Sequence, residues 1–249
     1  MYDFPKGSFV KRKMVEYNLS KADIIMSTSK VMAKETSQYT TKNIEITPFG
    51  VNIDRFKPFS DKYKKRDNLV VGTVKTLEPK YGIEYLIRAF AKVKQRHSNI
   101  KLEIAGVGAQ KDFLLNLCEE LDIKENVEFL GFINQEKVIE AFNRFDIAVF
   151  PSTLDSESFG VAAVEAQACG TPVIVSNVGG LPEATSPNNS SLLVNKKSVD
   201  ELAVAIEKLI EDDNLRINMG KSGRKFVEDN FNIEDNFNKV DTIYKYIIK

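Results

Sequence analysis

The chain has 249 residues, 43% of them hydrophobic, enough for a packed core in one large domain or one and a half ordinary ones. Lysine plus arginine and aspartate plus glutamate number 35 each, so global charge exerts no pull towards nucleic acid. His97 is the single histidine, which all but excludes a histidine-based metal site or a catalytic triad within the chain.

No apolar stretch approaches the ~20 residues that cross a bilayer, and the N-terminus lacks the apolar core of a signal peptide. The expected location is therefore the cytoplasm. Lys11-Arg12-Lys13 falls on a predicted helix that carries Phe9, Val10, Met14 and Tyr17 on another face. Residues 22–28 read as a strand and 30–39 as a helix, the end of a preceding βα unit rather than a whole domain. A second basic run, Lys62 to Arg66, has no amphipathic helix around it and is expected as a solvated loop.

From Asn68 onward short β-rich runs alternate with helical patterns. Strands are predicted at 69–74, 101–105, 127–130, 146–150, 172–175 and 191–194, with helices at 83–94, 111–121, 136–142, 161–168 and 199–210. Such alternation implies an α/β fold with a parallel sheet covered by helices on both faces, and several strands are continuously apolar, as doubly covered strands should be. Ligands on such sheets bind at the carboxyl ends of the strands. Cys118 and Cys169 lie in apolar helical surroundings and are expected as small buried residues, not a disulfide. After Glu211 the pattern is purely helical, at 215–226 and 234–248. In the last helix Phe237, Val240, Ile243, Tyr244 and Ile247 follow helical spacing, which predicts a buried stripe.

Chemistry concentrates between Pro151 and Glu183, in PSTLDSESFGVAAVEAQACGTPVIVSNVGGLPE. Glu157 and Glu165 have seven residues between them, and Ser158, Phe159 and Gly160 follow the first. A helix expected to begin near Phe159 leaves its first amides without internal partners, which makes an anion site reinforced by the helix dipole. Gly160 removes a side chain that would keep a phosphate from the backbone. Glu165, expected roughly 9 Å into the helix, could reach a ribose on that phosphate, and Glu157 would face whatever hangs from its other end. The layout suggests a nucleotide-diphosphate sugar. Taken alone, the two acids could instead be a dipole-favoured terminal carboxylate and a solvated helix residue.

Upstream, Lys75 and Lys80 stand five positions apart in a predicted strand-to-helix loop, where two cations can neutralise a diphosphate. Two solvated lysines are the alternative. Gly106 and Gly108 close the strand at 101–105 but lack the third glycine and the ribose-binding acid of a dinucleotide fingerprint, so an NAD site is weak and a tight turn facing the cleft fits better. Gly179-Gly180-Leu181-Pro182-Glu183 reads as a turn into a short helix.

The segment resembles the donor-binding signature of retaining glycosyltransferases of the GT-B fold, family 4, in Pro151-Ser152, Phe159-Gly160, Glu165-Ala166 and Gly170-Thr171-Pro172-Val173. The resemblance runs from about Ala22 to the final helix. It implies a Rossmann-like doubly wound parallel sheet, the second domain of a GT-B fold, followed by C-terminal helices. Residues 1–42 would be a remnant of the acceptor domain, 43–230 the donor nucleotide-sugar-binding domain and 231–249 the helix that crosses back. Most of the acceptor domain is expected to be missing, so the isolated chain is expected to show negligible transfer.

The resemblance further implies an enzyme that transfers a sugar from a nucleotide-diphosphate sugar to a glycan or lipid-linked acceptor with retention of configuration, with no metal or other cofactor. Lys75, Lys80 and Glu157 take the catalytic positions, although Lys75 replaces the family's usual arginine and loses its bidentate geometry. Ser158, Phe159, Gly160, Val161 and Glu165 take donor-binding positions, with Gly106 a further candidate. Phe132 and Ile133 would border the nucleobase, unless Phe132 is simply core. Phe49 and Asn52 stand where the family often has asparagine and aspartate, and no role carries over to them. Peripheral membrane association of a full-length enzyme stays open. A non-catalytic nucleotide-sugar-binding module, or a fragment that needs an upstream domain, is the competing reading, and a sugar-nucleotide epimerase is a further one.

Overall fold

The computed structural model describes residues 5–247. The chain begins with helix α1 (Phe9–Lys21), strand β1 (Ile25–Ser27), helix α2 (Lys30–Thr36) and strand β2 (Ile44–Ile46). β1 and β2 pair in parallel as a small separate sheet. β2 lies beyond the expected boundary at residue 42, in what reads locally as a linker, because three residues carry too short a pattern to announce a strand. Serines at 8 and 29 cap α1 and α2 by accepting the Lys11 and Met32 amides.

The main body follows as β3 (Leu69–Val74), α3 (Ile83–Lys94), β4 (Ile100–Ala105), α4 (Lys111–Glu120), β5 (Val127–Gly131), α5 (Gln135–Arg144), β6 (Ile147–Phe150), α6 (Val161–Ala168), β7 (Val173–Ser176), β8 (Ser191–Val194), α7 (Val199–Glu211), α8 (Asp213–Asn230) and α9 (Ile233–Ile247). The six strands form one parallel sheet in the order β5-β4-β3-β6-β7-β8. Numbered from β3 as first strand this is 3-2-1-4-5-6, the Rossmann-like order, with its reversal between β3 and β6.

The continuous apolar runs are explained by burial on both faces. Successive side chains point to opposite sides of a strand. Val71, Ile147, Val149 and Ile174 enter the core under α3, α4 and α7. Val70, Ala148, Phe150, Val173 and Val175 enter a second core with Phe142, Phe145 and residues of α6 and α8. Fully buried aromatics such as Phe90, Phe142 and Phe145 each contribute ~1.5–3 kcal/mol through burial. Cys118 and Cys169 are free and buried, as expected.

Three expectations fail. Lys62 is not solvated but buried, its Nζ donating to the carbonyls of Phe142, Asn143 and Phe145 at 2.9, 3.1 and 2.5 Å. It closes the carboxyl end of α5, whose last carbonyls lack helical partners. The predicted stripe on α9 is not buried, and Phe237 and Tyr244 are 71% and 51% exposed. α9 is held at its start by the Ile233 amide on the Val51 carbonyl and farther along by the Lys239 Nζ on the Ile46 carbonyl. Residues 179–184 form turns without a helix. Phe9, Val10, Met14 and Tyr17 of α1 are likewise exposed. Among the described residues no helix is long and apolar enough to cross a membrane.

Candidate functional site

β3 and β6 are neighbours whose connections leave towards opposite edges of the sheet, so the loops after them open a crevice at their carboxyl ends. Lys75 is the first residue after β3, and the loop bearing Glu157 follows β6. The two loops are stitched together by the Thr153 amide, which donates to the Lys80 carbonyl at 2.8 Å. That bond brings Lys80 beside the acid.

Within the crevice the Lys75 Nζ lies 3.2 Å from Glu157 Oε2, with the two side chains 17% and 12% exposed. Ser152, itself buried, donates from its hydroxyl to the same carboxylate at 3.2 Å. The Lys75 and Lys80 ammonium groups sit 4.4 and 4.8 Å from the centroid of one ring, that of Tyr81. Lys80, Tyr81, Leu154, Ser156, Glu157 and Ser158 line a polar cleft of about 210 Å³.

Glu165 stands one turn into α6, which starts at Val161 with Gly160 as its N-cap, close to the expected start near Phe159. Its carboxyl is pushed up to about 7 by burial, against the opposing pull of the Lys75 charge. Among the described residues no donor lies within hydrogen-bond distance of that carboxylate. The Ala163 and Val164 amides turn back to the Gly160 carbonyl. Among the described residues the Val161 and Ala162 amides ahead of them have no acceptor, leaving donors at the helix start.

The glycines have reasons other than those the sequence suggests. Gly160 adopts φ +101°, and a Cβ there would come within 2.5 Å of Leu181 Cδ2, so backbone conformation and packing demand it before any ligand does. At Gly106 the close neighbour is the Lys75 carbonyl, 2.0 Å from where a Cβ would stand. Together with the bond from the Lys75 amide to the Ala105 carbonyl at 2.9 Å, this grips the Lys75 backbone from β4. Gly180 performs a similar service for the acid, because its amide donates to the Glu157 carbonyl at 2.8 Å.

Lys75, Lys80, Glu157 and Ser158 therefore meet in one crevice, with Glu165 within electrostatic reach of Lys75. Phe159 turns its ring into the core, against Phe231 at 5.2 Å, so only its main chain borders the helix start. Val161 is partly exposed at that start. Phe132 is 80% exposed after β5 and is not core, whereas Ile133 packs against the second core. Both lie on the carboxyl edge of the sheet but two strands from Lys75. Tyr81, Ser152 and the bracing Gly179-Gly180 pair also border the crevice, although the sequence assigns none of them a role. The first stands next to Lys80 in sequence, which was the only signal available.

The glycosyl transferases group 1 profile matches residues 54–226. The D-inositol 3-phosphate glycosyltransferase of Corynebacterium jeikeium is 37% identical over 198 residues, taking in 73% of this chain and 47% of that protein. The GDP-mannose-dependent monoacylated alpha-(1-6)-phosphatidylinositol monomannoside mannosyltransferase of Corynebacterium glutamicum is 32% identical over 231 residues, 83% of this chain and 60% of that protein. Among solved structures, the sucrose-phosphate synthase of Thermosynechococcus elongatus is similar with a TM-score of 0.87 at 26% identity, across 99% of this chain and 65% of that one. The chain spans about half the length of the curated relatives it matches. With the matched region containing both crevice loops and α6, the chain belongs to the glycosyl transferases group 1 family.

Proposed function

We propose that this chain is the donor-binding half of a retaining glycosyltransferase of family 4 that uses a nucleotide-diphosphate sugar. The observation that carries the reading is the convergence of Lys75, Lys80 and Glu157 at the carboxyl ends of β3 and β6, beside the open amides of α6. Such a cluster offers fixed positive charge where a diphosphate leaving group gains negative charge as the sugar bond breaks. Lys75, Lys80 and the Val161 and Ala162 amides meet the diphosphate, and no metal is required for that task. Glu165, with no internal donor, accepts from the ribose hydroxyls. Glu157 orients the sugar hydroxyls. Retention follows from attack on the face the diphosphate leaves, with a phosphate oxygen taking the acceptor's proton. The GDP-mannose dependence of the C. glutamicum relative, which acts on a phosphatidylinositol monomannoside, supports a nucleotide-diphosphate donor and a lipid-linked or glycan acceptor. A domain facing the crevice from the other side supplies the acceptor site.

Thermal unfolding with a panel of UDP, GDP and ADP sugars tests the reading. A true donor at one hundred times its dissociation constant should stabilise the fold by ~2.7 kcal/mol. Lys75→Ala and Glu165→Ala should each weaken that effect while the free domain stays folded. Full ligand stabilisation surviving in both variants removes the site assignment. Donor turnover, with and without an upstream domain in trans, separates an enzyme half from a binding module, which would transfer no sugar in either case.

A further inference from the structure

Among the described residues Tyr81 is the one side chain that touches both cations of the crevice. Lys75 leaves the end of β3, whereas Lys80 and Tyr81 belong to a single 3-10 turn, Pro79–Tyr81, so the lysines reach the ring from separate backbone positions. The turn is tied down by the Tyr81 amide on the Glu78 carbonyl at 3.0 Å and by Thr153 on Lys80. Lys75 has a second partner in Glu157. Lys80 does not. Among the described residues no carboxylate lies within ion-pair distance of its Nζ, and the ring 4.8 Å away is what it rests on. The face of an aromatic ring is the negative end of its quadrupole and attracts an ammonium group. Two lysines on flexible stems repel each other and disperse into water unless something between them draws both inward.

We propose that Tyr81 is a positioning residue that gathers Lys75 and Lys80 into one preformed dication before an anion arrives. This rests on the diphosphate reading for the identity of the anion. The phenol ring lines the same cleft as Lys80 and Glu157, so the gathered charges face the ligand. Preorganisation of this kind raises affinity by removing the ordering cost from the binding step.

The test is calorimetric titration of the full chain with inorganic pyrophosphate, which has no base or sugar to confuse the reading. Tyr81→Phe keeps the ring face and should bind within twofold of the parent. Tyr81→Leu keeps bulk without the quadrupole and should bind roughly fivefold to thirtyfold more weakly, the product of two cation–π contacts. Trifluorinated phenylalanine at position 81, which keeps the ring shape and drains its face of negative charge, should fall with leucine, and it decides the matter if Tyr81→Leu fails to fold. Parent-like binding by the fluorinated ring, or equal loss in Tyr81→Phe, overturns the proposal while leaving the diphosphate site intact. Pyrophosphate binding that ignores Lys75→Ala and Lys80→Ala refutes the diphosphate site itself, and the role of Tyr81 with it.

Discussion

In the free protein the Lys75 ammonium already has an anion beside it, the Glu157 carboxylate at 3.2 Å. An incoming diphosphate must compete with that acid and is repelled by it. Glu157→Gln should therefore tighten binding of a bare nucleoside diphosphate. The Coulomb energy of unit charges at this distance is ~1.3 kcal/mol in water and ~5 kcal/mol at the effective dielectric of a protein surface. The amide keeps the shape and can still accept from Ser152, but hydration of the released lysine offsets part of the gain. A net tightening of ~1–2 kcal/mol follows, about fivefold to thirtyfold. Titration of UDP and GDP into both proteins at low and high salt reads it, and the difference should shrink as salt screens the parent's repulsion. The corresponding nucleotide sugars should gain less, because the variant loses the carboxylate proposed to orient the sugar. Equal or weaker diphosphate binding by Glu157→Gln, with the fold intact, would falsify the competition argument. A double-mutant cycle with Lys75→Ala isolates the coupling between the pair.

Other outcomes follow from individual side chains. Burial raises the Glu165 carboxyl from 4.5 to about 7, so the native state holds more protons than the unfolded chain between those values. Stability is then lost as pH rises through about 7, and Glu165→Gln should be more stable than the parent at pH 8 by up to ~3 kcal/mol, with the gap closing towards pH 5. Thermal melts across that range check it, and a constant gap would disprove the linkage. Lys62→Met removes the shared donor of three buried carbonyls and should cost ~1–3 kcal/mol in urea unfolding. Burial also lowers the Lys62 ammonium from 10.5 to about 7, so its contribution is present above the unfolded value and lost as pH falls through about 7, and the variant should lack that slope. Gly180→Ala would place a Cβ 2.2 Å from the Ser158 carbonyl oxygen, which should cost ~1–3 kcal/mol and displace the Glu157 loop. Urea unfolding together with pyrophosphate binding reads both effects, and a parent-like variant would show that the loop is not braced there.

Much of this was legible in local pattern. The alternation from Asn68 onward placed every strand of the large sheet, and helices such as Ile83–Lys94 and Val161–Ala168 were read to the residue, because their apolar period, caps and breakers are local properties. Glu157, Lys75 and Lys80 could be placed at the ligand end of the sheet because they follow apolar strands in loops, and Glu165 because it opens the helix that comes next, but it was the resemblance of the surrounding motif that set the two acids apart from solvated ones. Pattern could not say that these charges meet. That depended on the strand order, which places β3 next to β6 although two strands intervene in sequence.

Where local reading failed, a distant partner had overruled it. Lys62 sits in a basic run that looks solvated, and only the carbonyls at the end of α5, some eighty residues away, make its burial tolerable. The α9 stripe has helical period, but the described chain covers it only in part: Val240 and Ile243 are half-buried, whereas Phe237, Tyr244 and Ile247 stay exposed. Tyr81 looks like one more loop aromatic until the fold brings Lys75 over its ring. Sequence by itself determined which residues carry charge and at which end of the sheet they fall, because period and polarity are encoded neighbour by neighbour. Tertiary structure alone decided which of them share one crevice, because contacts between separate strands and loops arise only when the sheet is assembled.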